Sequence, residues 1–239
     1  MDTKILVVAA HIGDFVWRSG GTIAKYCKAG AQVRLVVLSY GLRGETNAYW
    51  KQPGANLEEG KAIRRSEGLR AAELLGIRDT VLCDYEDYPI QWDLERRERL
   101  AKEIRAFGPD LILTHDRRRD LYNADHALIG EEMLVAASMA SAAGAALDGL
   151  PPVKRPVIYG FEPHVAEISD FSPDCYVDIT DAIETKKSAM AVYDTQKHMY
   201  EAYINRSLVR GQQSAKPGCR YAEAFSLHSP IFQQEFLIS

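Results

Sequence analysis

The sequence has few cysteines, and their spacing forms no recognisable motif. Cys27, Cys83, Cys175 and Cys219 are widely separated along a chain of 239 residues. This pattern excludes zinc-finger and dithiol redox motifs and does not indicate a disulfide framework. A reducing compartment is the simplest location for such a chain, and we therefore expect a cytoplasmic protein.

The sequence also lacks an excess of positive charge and a long apolar run. Its 29 Lys and Arg residues against 33 Asp and Glu residues give a formal net charge of −4. Proteins that bind nucleic acids or membrane surfaces in a general way need a broad basic excess, so neither is an expected partner. The first apolar stretch, residues 5–10, is too short for a signal sequence or a membrane span, and we expect an unprocessed N-terminus.

Five short apolar runs predict strands that are buried on both faces. They lie at residues 5–10, 33–38, 80–83, 111–113 and 157–159. Unbroken hydrophobicity of this kind is typical of a parallel sheet covered by helices. Helices are predicted between the strands, at residues 22–28, 58–75, 94–107 and 127–146. The alternation predicts the α/β class, with residues 1–239 forming a single Rossmann-like domain that has a mostly parallel sheet flanked by helices.

Glycines and the C-terminal segment complete this prediction. Ser19-Gly20-Gly21 is expected to be a turn before the first helix, and Gly76 and Gly108 are expected to end the next two. Residues 180–239 are less regular, with helices predicted at 183–192 and 199–210 and a loop at 211–220. This segment is expected to cap the functional site.

Three polar residues follow predicted strands or begin a later helix. His11 and Asp14 come just after residues 5–10, and His126 begins the helix at 127–146. The carboxyl ends of parallel strands meet at one crevice, so these side chains are expected to converge. Two imidazoles and one carboxylate around Zn²⁺ leave an open coordination position, as in catalytic sites. Taken alone, the H-x-x-D spacing also fits a turn with an Asp cap and a hydrogen-bonded histidine, so its context has to decide.

Several further motifs occur in a definite order along the chain. They are Ala10-His11-Ile12-Gly13-Asp14, Gly20-Gly21-Thr22-Ile23-Ala24, Gly41-x-Arg43-Gly44-Glu45, Arg64-Arg65-x-Glu67, Asp125-His126, Tyr193-x-x-Gln196 and Tyr221-Ala222-Glu223-Ala224-Phe225. In content and order they resemble the PIG-L/LmbE family of zinc-dependent N-deacetylases. The resemblance implies a zinc ion held by His11, Asp14 and His126.

Two positions depart from the deacetylase pattern. The family motif A-H-P-D-D uses its first acid as general base and its second as zinc ligand, whereas this chain has Gly13 before Asp14. The family motif H-P-D-H is replaced by Asn123-Ala124-Asp125-His126, which keeps only the second histidine. Each lost proton-transfer group typically costs about 10²–10⁴-fold in rate, so ordinary amide hydrolysis is disfavoured.

A second set of motifs is similar to a hydratase branch of the same family, whose members add water to 4-oxalomesaconate in gallate and protocatechuate catabolism. The motifs are Phe15-Val16-Trp17-Arg18, Leu38-Ser39-Tyr40-Gly41, Asp87-Tyr88-Pro89, Tyr122-Asn123-x-Asp125-His126 and Phe161-Glu162-Pro163-His164. The resemblance implies a zinc-dependent lyase that hydrates an unsaturated oxo-tricarboxylate to 4-carboxy-4-hydroxy-2-oxoadipate. The small-molecule partner would then be a polycarboxylate.

The hydratase interpretation needs a base and an acid, and Glu45 and His164 are the candidates, with their roles exchangeable. The simpler alternatives are an exposed loop carboxylate that pairs with Arg43 and a surface histidine. The candidate substrate-binding residues are Arg18, Arg43, Arg65 and Asn123, since guanidinium groups bind carboxylates through two parallel donors. Asp125 and His115 are expected to support the metal ligands.

Two other functions compete with hydration. The first is an N-deacetylase of an acetylated sugar or amine that recruits Glu45 or Asp125 as its base. The second is a non-catalytic relative that only binds an anion. For each of them a homo-oligomer is expected, and Zn²⁺ is the expected cofactor of the two enzymes, although another divalent transition metal would fit the same ligands.

Overall fold

In the described part of the chain, seven strands form one mostly parallel sheet, in the order β3-β2-β1-β4-β5-β7-β6. The strands are β1 (Lys4–His11), β2 (Gln32–Ser39), β3 (Asp79–Tyr85), β4 (Leu111–His115), β5 (Val157–Phe161), β6 (Cys175–Asp178) and β7 (Ala222–Leu227). β1 to β5 pair in parallel, whereas β7 pairs antiparallel with both β5 and β6. The chain moves outward from β1 to β2 and β3 and then returns to β4. The crevice between the ends of β1 and β4 is therefore a topological switch point, where open α/β sheets bind ligands.

This architecture comes from a computed structural model that describes residues 2–118 and 120–230 of the chain. The last nine residues of the predicted capping segment 180–239 lie outside the described part. Among the described residues, no helix has both the length and the hydropathy that crossing a membrane requires.

Helices cover both faces of the sheet. They are α1 (Asp14–Lys28), α2 (Leu42–Glu45), α3 (Asn47–Trp50), α4 (Leu57–Leu75), α5 (Leu94–Phe107), α6 (Ala124–Ser141), α7 (Ile183–Met190) and α8 (Tyr200–Gln213). Alternate side chains of β1 point to opposite faces, so Val7 packs in the core with α1, α4 and α7, and Val8 packs in the core with α5 and α6. The predicted α/β class and the single domain with a mostly parallel sheet are confirmed.

The helix ends follow the local chemistry of the sequence. The side chains of Asn56 and Asp93 accept backbone N–H groups at the starts of α4 and α5. Gly76 and Gly108 end the same two helices in the left-handed conformation, as their positions predicted.

The predicted turn at Ser19-Gly20-Gly21 is wrong, because α1 begins at Asp14 and runs through it. A Cβ atom at Gly21 would lie 2.6 Å from Cδ1 of Ile179. The glycine therefore permits close packing of α1 and does not form a turn. At the other end of the chain, α8 continues to Gln213, so the predicted loop at 211–220 is shorter than expected.

β6 and β7 have no counterpart among the predicted strands. In β7 the buried acid Glu223 interrupts the apolar pattern, so the hydropathy of this segment does not predict a strand. The structure compensates the charge. The carboxylate of Glu223 accepts the N–H groups of Gly21 and Thr22 and forms an ion pair of 2.6 Å with Nζ of Lys186.

Gly130 lies where α6 packs closely on the end of β4. An added Cβ would lie 2.7 Å from the carbonyl oxygens of His115 and Asp116, which are backbone atoms and cannot rotate away. We expect Gly130→Ala to lower the free energy of unfolding by about 1–3 kcal/mol, measured by urea denaturation. Gly144→Ala is the matched control, since nothing lies within 4 Å of its Cβ position. Equal stability of the two variants would contradict the packing argument.

Candidate metal centre

Four side chains converge at the carboxyl ends of β1 and β4. His11 ends β1, Asp14 begins α1, Glu45 ends α2 and His126 lies in the first turn of α6. One ligand atom from each lies within 4.8 Å of the others. Nδ1 of His11 is 3.1 Å from Nε2 of His126, and each of these nitrogens is 3.3 Å from an oxygen of Asp14. The three residues predicted as metal ligands are thus brought together, and Glu45 joins them.

The distances between these ligand atoms fit a single small metal ion. Nitrogen and oxygen ligands bonded to tetrahedral Zn²⁺ at about 2.0–2.1 Å lie about 3.4 Å from one another. The observed separations of 3.1–3.3 Å among His11, Asp14 and His126 are close to this value. Oε1 of Glu45 lies 3.3 Å from Nδ1 of His11 and 3.9 Å from Nε2 of His126. Glu45 is therefore placed to act as a fourth ligand or to contact a molecule in the fourth position.

The carboxylates behind the two histidines are also compatible with a metal. Nε2 of His11 is 3.1 Å from Oδ2 of Asp125, and Nδ1 of His126 is 2.8 Å from Oδ2 of Asp120. When each imidazole donates its outer N–H to a carboxylate, the nitrogen that faces the cluster carries a free lone pair. The donor set and its orientation therefore fit a divalent cation.

The charge of the site favours a cation at the same point. Burial acts to lower the pKa of His11, but the charge of Glu45 and the hydrogen bonds to Asp125 and Asp14 hold it well above its ordinary value. Burial acts to raise the pKa of Asp14, but His126 and His115 hold it well below its ordinary value. The buried carboxylates thus stabilise positive charge between the histidines.

Asp125 and Asp120 hold the two histidines from behind. Asp125 accepts the backbone N–H groups of Tyr88 at 2.9 Å and Ile90 at 2.8 Å, in addition to its contact with His11. Both of its oxygens are engaged, which suits support and does not suit the base role considered for a deacetylase. Asp120 was not predicted from the sequence, because it lies in a loop and belongs to none of the motifs.

His115 lies beside the cluster. Its ring stacks on His126 with centroids 4.3 Å apart, and its Nε2 accepts the N–H of Ala10. Burial and the neighbouring His126 lower the pKa of His115 to about 3, so the ring is neutral. It packs against His126 and is not one of the four converging groups.

The structure divides the predicted arginines into one that reaches the cluster and two that do not. Arg18 is buried behind the ligands, with Nη1 donating to the carbonyl of Glu162 at 2.8 Å and Nη2 lying 3.4 Å from Asp120. Arg43 is half exposed and pairs with Glu86 at 3.1 Å, while Arg65 is exposed on α4.

Arg64 is the arginine of α4 that enters the site. It is fully buried, and its Nη2 lies 3.2 Å from Oε2 of Glu45. The helical periodicity of α4 could have predicted that Arg64 is buried, because Gly60, Gly68 and Ala71 form a stripe of small residues that faces the core. Position 64 falls on that stripe and position 65 does not.

Glu45 is oriented by these contacts and is not an exposed partner of Arg43. Its side chain is 8% exposed. Oε2 accepts from Arg64 and lies 3.4 Å from Nε2 of Gln196. Burial acts to raise the pKa of Glu45, but the nearby His11 and Arg64 hold it below the ordinary value. The carboxylate is therefore ionised, with one oxygen fixed and the other directed at the cluster.

Gln196 and Trp17 occupy the space next to Gly13. Oε1 of Gln196 accepts from Nη1 of Arg64 at 2.8 Å and from Nε1 of Trp17 at 3.3 Å. A Cβ atom built on Gly13 would lie 2.6 Å from Oε1 of Gln196 and 2.8 Å from Nε1 of Trp17. At the position where the deacetylase pattern has its base, this chain therefore has no room for a side chain without rearrangement.

A cavity of about 430 Å³ opens beside the cluster and is lined by Glu45, Asn123 and His164. Nδ1 of His164 is 2.7 Å from the hydroxyl of Tyr203, and burial together with Arg18 lowers its pKa to about 3. The side-chain oxygen of Asn123 accepts the N–H of Asp125 and caps α6. Both candidate catalytic residues and one candidate substrate-binding residue thus face a common space.

Guanidinium groups from α8 hold the loop that carries His164. Arg206 donates to the carbonyl oxygens of Pro163 and His164 at 2.6 and 2.5 Å, and Arg210 forms an ion pair with Glu162. These contacts fix the position of His164 relative to the cavity. No motif predicted these contacts, because the partners of Arg206 are backbone carbonyls and the partner of Arg210 is a carboxylate that only the tertiary structure brings near.

Two histidines and two carboxylates at the carboxyl edge of an α/β sheet are typical of α/β enzymes with a metal site. The chain belongs to the PIG-L family. The family model described as "GlcNAc-PI de-N-acetylase" matches residues 6–137. The prediction of the family is confirmed.

Known relatives include hydratases and deacetylases. The "4-oxalmesaconate hydratase" of Pseudomonas putida is 36% identical over 215 residues, covering 88% of this chain and 81% of that protein. The crystal structure of GalB, the 4-carboxy-2-hydroxymuconate hydratase of P. putida KT2440, matches with a TM-score of 0.93 at 34% identity and covers 98% of this chain and 100% of that one. N,N'-diacetylchitobiose deacetylase of Pyrococcus horikoshii matches with a TM-score of 0.81 at 26% identity, covering 94% and 83%. The protein is therefore an enzyme.

The cluster predicts that His11 is required for metal binding. After treatment with a chelator and reloading, we expect the protein to bind one divalent ion per chain and His11→Ala to lose it, because a ligand has been removed. Metal content after dialysis and the visible absorption of the Co²⁺ form measure this. His198→Ala is the control, since this exposed histidine is not among the clustered groups. Full metal content in His11→Ala would refute the assignment.

Proposed function

We propose that this enzyme is a zinc-dependent hydratase that adds water to an unsaturated oxo-tricarboxylate, 4-oxalomesaconate, in aromatic catabolism. The observation that carries the proposal is the filled space at Gly13, where Trp17 and Gln196 exclude the base of the deacetylase pattern. The 36% identity to the "4-oxalmesaconate hydratase" of P. putida supports it. A reducing cytoplasm and a homo-oligomeric state are part of the same proposal.

The proposed zinc ligands are His11, Asp14 and His126. When bound there, zinc supplies Lewis acidity that stabilises negative charge on a substrate oxygen. Asp125 and Asp120 keep the imidazoles in the required tautomers through the hydrogen bonds described above.

Hydration of an alkene forms a C–O bond at one carbon and a C–H bond at its neighbour. One group must therefore take a proton from water, and another must deliver a proton to carbon. Glu45 is ionised and has one oxygen directed at the cluster, so we assign it as the base. His164 lines the same cavity and is held by Tyr203, so we assign it as the acid. The carboxylates of a bound substrate raise the pKa of His164 toward the range that this role requires.

The substrate-binding assignments change with the structure. Asn123 remains a proposed substrate contact, because it lines the cavity and its amide nitrogen forms no hydrogen bond with the described residues. Arg18 instead supports Asp14 and Asp120 from behind. Arg43 and Arg65 do not line the cavity, so we do not assign them to the substrate.

The assigned proton carriers predict the behaviour of two variants. We expect Glu45→Gln and His164→Ala each to lower kcat for hydration of 4-oxalomesaconate by about 10²–10⁴-fold, and removal of zinc to abolish it. Loss of substrate absorbance measures turnover, and metal analysis of each variant separates a lost proton carrier from a lost ligand.

Glu86→Gln is the matched control, because this acid is exposed and, within the described part of the chain, pairs only with Arg43 at the surface. It should retain the activity of the unchanged protein. If Glu45→Gln and His164→Ala both keep full turnover, the acid and base assignment is wrong.

The filled space at Gly13 predicts that an acid placed there does not restore deacetylation. We expect Gly13→Asp to release no acetate from N,N'-diacetylchitobiose and to be less stable than the unchanged protein, because its Cβ collides with the ring of Trp17. Acetate release and urea denaturation measure the two effects. Gly144→Asp, in open space, controls for the added charge. A stable Gly13→Asp variant with deacetylase activity would overturn this argument.

A further inference from the structure

The charges around the cavity are unevenly distributed. Among the described residues that line it, Glu45 is the only acid and Lys51 is the only lysine or arginine. Glu45 lies at the metal cluster and is neutralised by Arg64. Among the described residues, Lys51 therefore supplies the one full positive charge on the part of the cavity wall that lies away from the cluster.

The buried arginines near the site are already committed to protein groups. Arg64 donates through Nε to the carbonyl of Tyr40, through Nη1 to Gln196 and through Nη2 to Glu45. Arg18 donates to the carbonyl of Glu162 and is flanked by the carboxylates of Asp14 and Asp120. Releasing either guanidinium to hold a substrate would leave buried acceptors without a partner, which is costly.

The side chain of Lys51 makes no such contacts. Its side chain is exposed and forms no ion pair or hydrogen bond with the described residues. A substrate carboxylate can therefore pair with this ammonium group without depriving a buried protein acceptor of its donor.

The backbone at Lys51 is nevertheless held in place. Lys51 directly follows α3, and Nε1 of Trp50 donates to the carbonyl of Leu42 at 2.6 Å. The hydroxyl of Tyr49 donates to the carbonyl of Asn56 at 2.7 Å. These bonds tie α3 to α2 and to the start of α4, so the main chain that carries Lys51 is fixed relative to Glu45.

We propose that Lys51 forms a carboxylate subsite in the outer wall of the cavity, which receives a substrate carboxylate remote from the metal cluster. This inference rests on the proposed function and specifies it further. The substrate class is a polycarboxylate, with one end at the cluster and another anionic group at Lys51. An uncharged N-acetyl sugar gains no ion pair from this residue.

The test compares Lys51→Met with Lys51→Arg, which keeps the charge, in the zinc-loaded protein. For an ion pair at an exposed wall, we expect Lys51→Met to raise KM for 4-oxalomesaconate by about two- to fivefold at low salt and to change kcat little. The dissociation constant of propane-1,2,3-tricarboxylate, measured by calorimetry, should rise by a similar factor. Lys51→Arg should restore both values, and the effect should shrink as NaCl is added.

Lys197→Met is the matched control, because Lys197 is exposed near the same rim but pairs with Asp194 and does not line the cavity. If Lys197→Met raises KM as much as Lys51→Met does, the effect comes from the change of net charge alone. That result would overturn the subsite. Unchanged KM and tricarboxylate affinity in Lys51→Met would also overturn it, even if the unchanged protein hydrates 4-oxalomesaconate. If the unchanged protein fails to hydrate that substrate but binds the tricarboxylate through Lys51, the subsite stands and the proposed reaction falls.

Discussion

The site depends on the burial of mutually compensating charges at the end of β1. Removing an ionised carboxylate from water is costly unless it is paired and hydrogen-bonded. Asp14 is compensated by histidines, Asp120 by Arg18 and His126, and Glu45 by Arg64. Much of the surrounding structure serves this requirement, because the backbone N–H groups near Tyr88 and the side chain of Gln196 complete the hydrogen bonds. These contacts hold the ligand atoms of the cluster at the spacing that a metal requires.

The same network separates this chain from the deacetylase pattern of its family. The difference is more than the loss of an acid at Gly13. Trp17 and Gln196 fill the vacated space, and Gln196 in turn contacts Arg64 and Glu45. Gln196, which occupies the space beside Gly13, thus orients the carboxylate to which we assign the proton transfer. A change at Gly13 therefore acts on Glu45 through two intervening contacts.

The sequence was sufficient to predict the α/β sheet and the convergence of His11, Asp14 and His126, because strand ends meet wherever parallel strands share an edge. It could not identify Asp120, whose role depends on a loop conformation. The choice of Arg65 over Arg64 was avoidable, since helix phase distinguishes the two. β7 was missed because the strand carries Glu223, whose charge is compensated by Lys186 and by backbone N–H groups from a distant helix. Contacts of this kind are set by tertiary structure and leave no local pattern.

The short segment formed by α2 and α3 has an evolutionary consequence. Glu45 stands at the end of α2 and Lys51 directly follows α3, and internal hydrogen bonds join the two helices. An insertion or deletion within these few residues would displace both side chains at once. With the roles that we propose for Glu45 and Lys51, proton transfer and substrate recognition are inherited together in this segment, so a descendant that remodels it for a new substrate also has to rebuild its proton transfer.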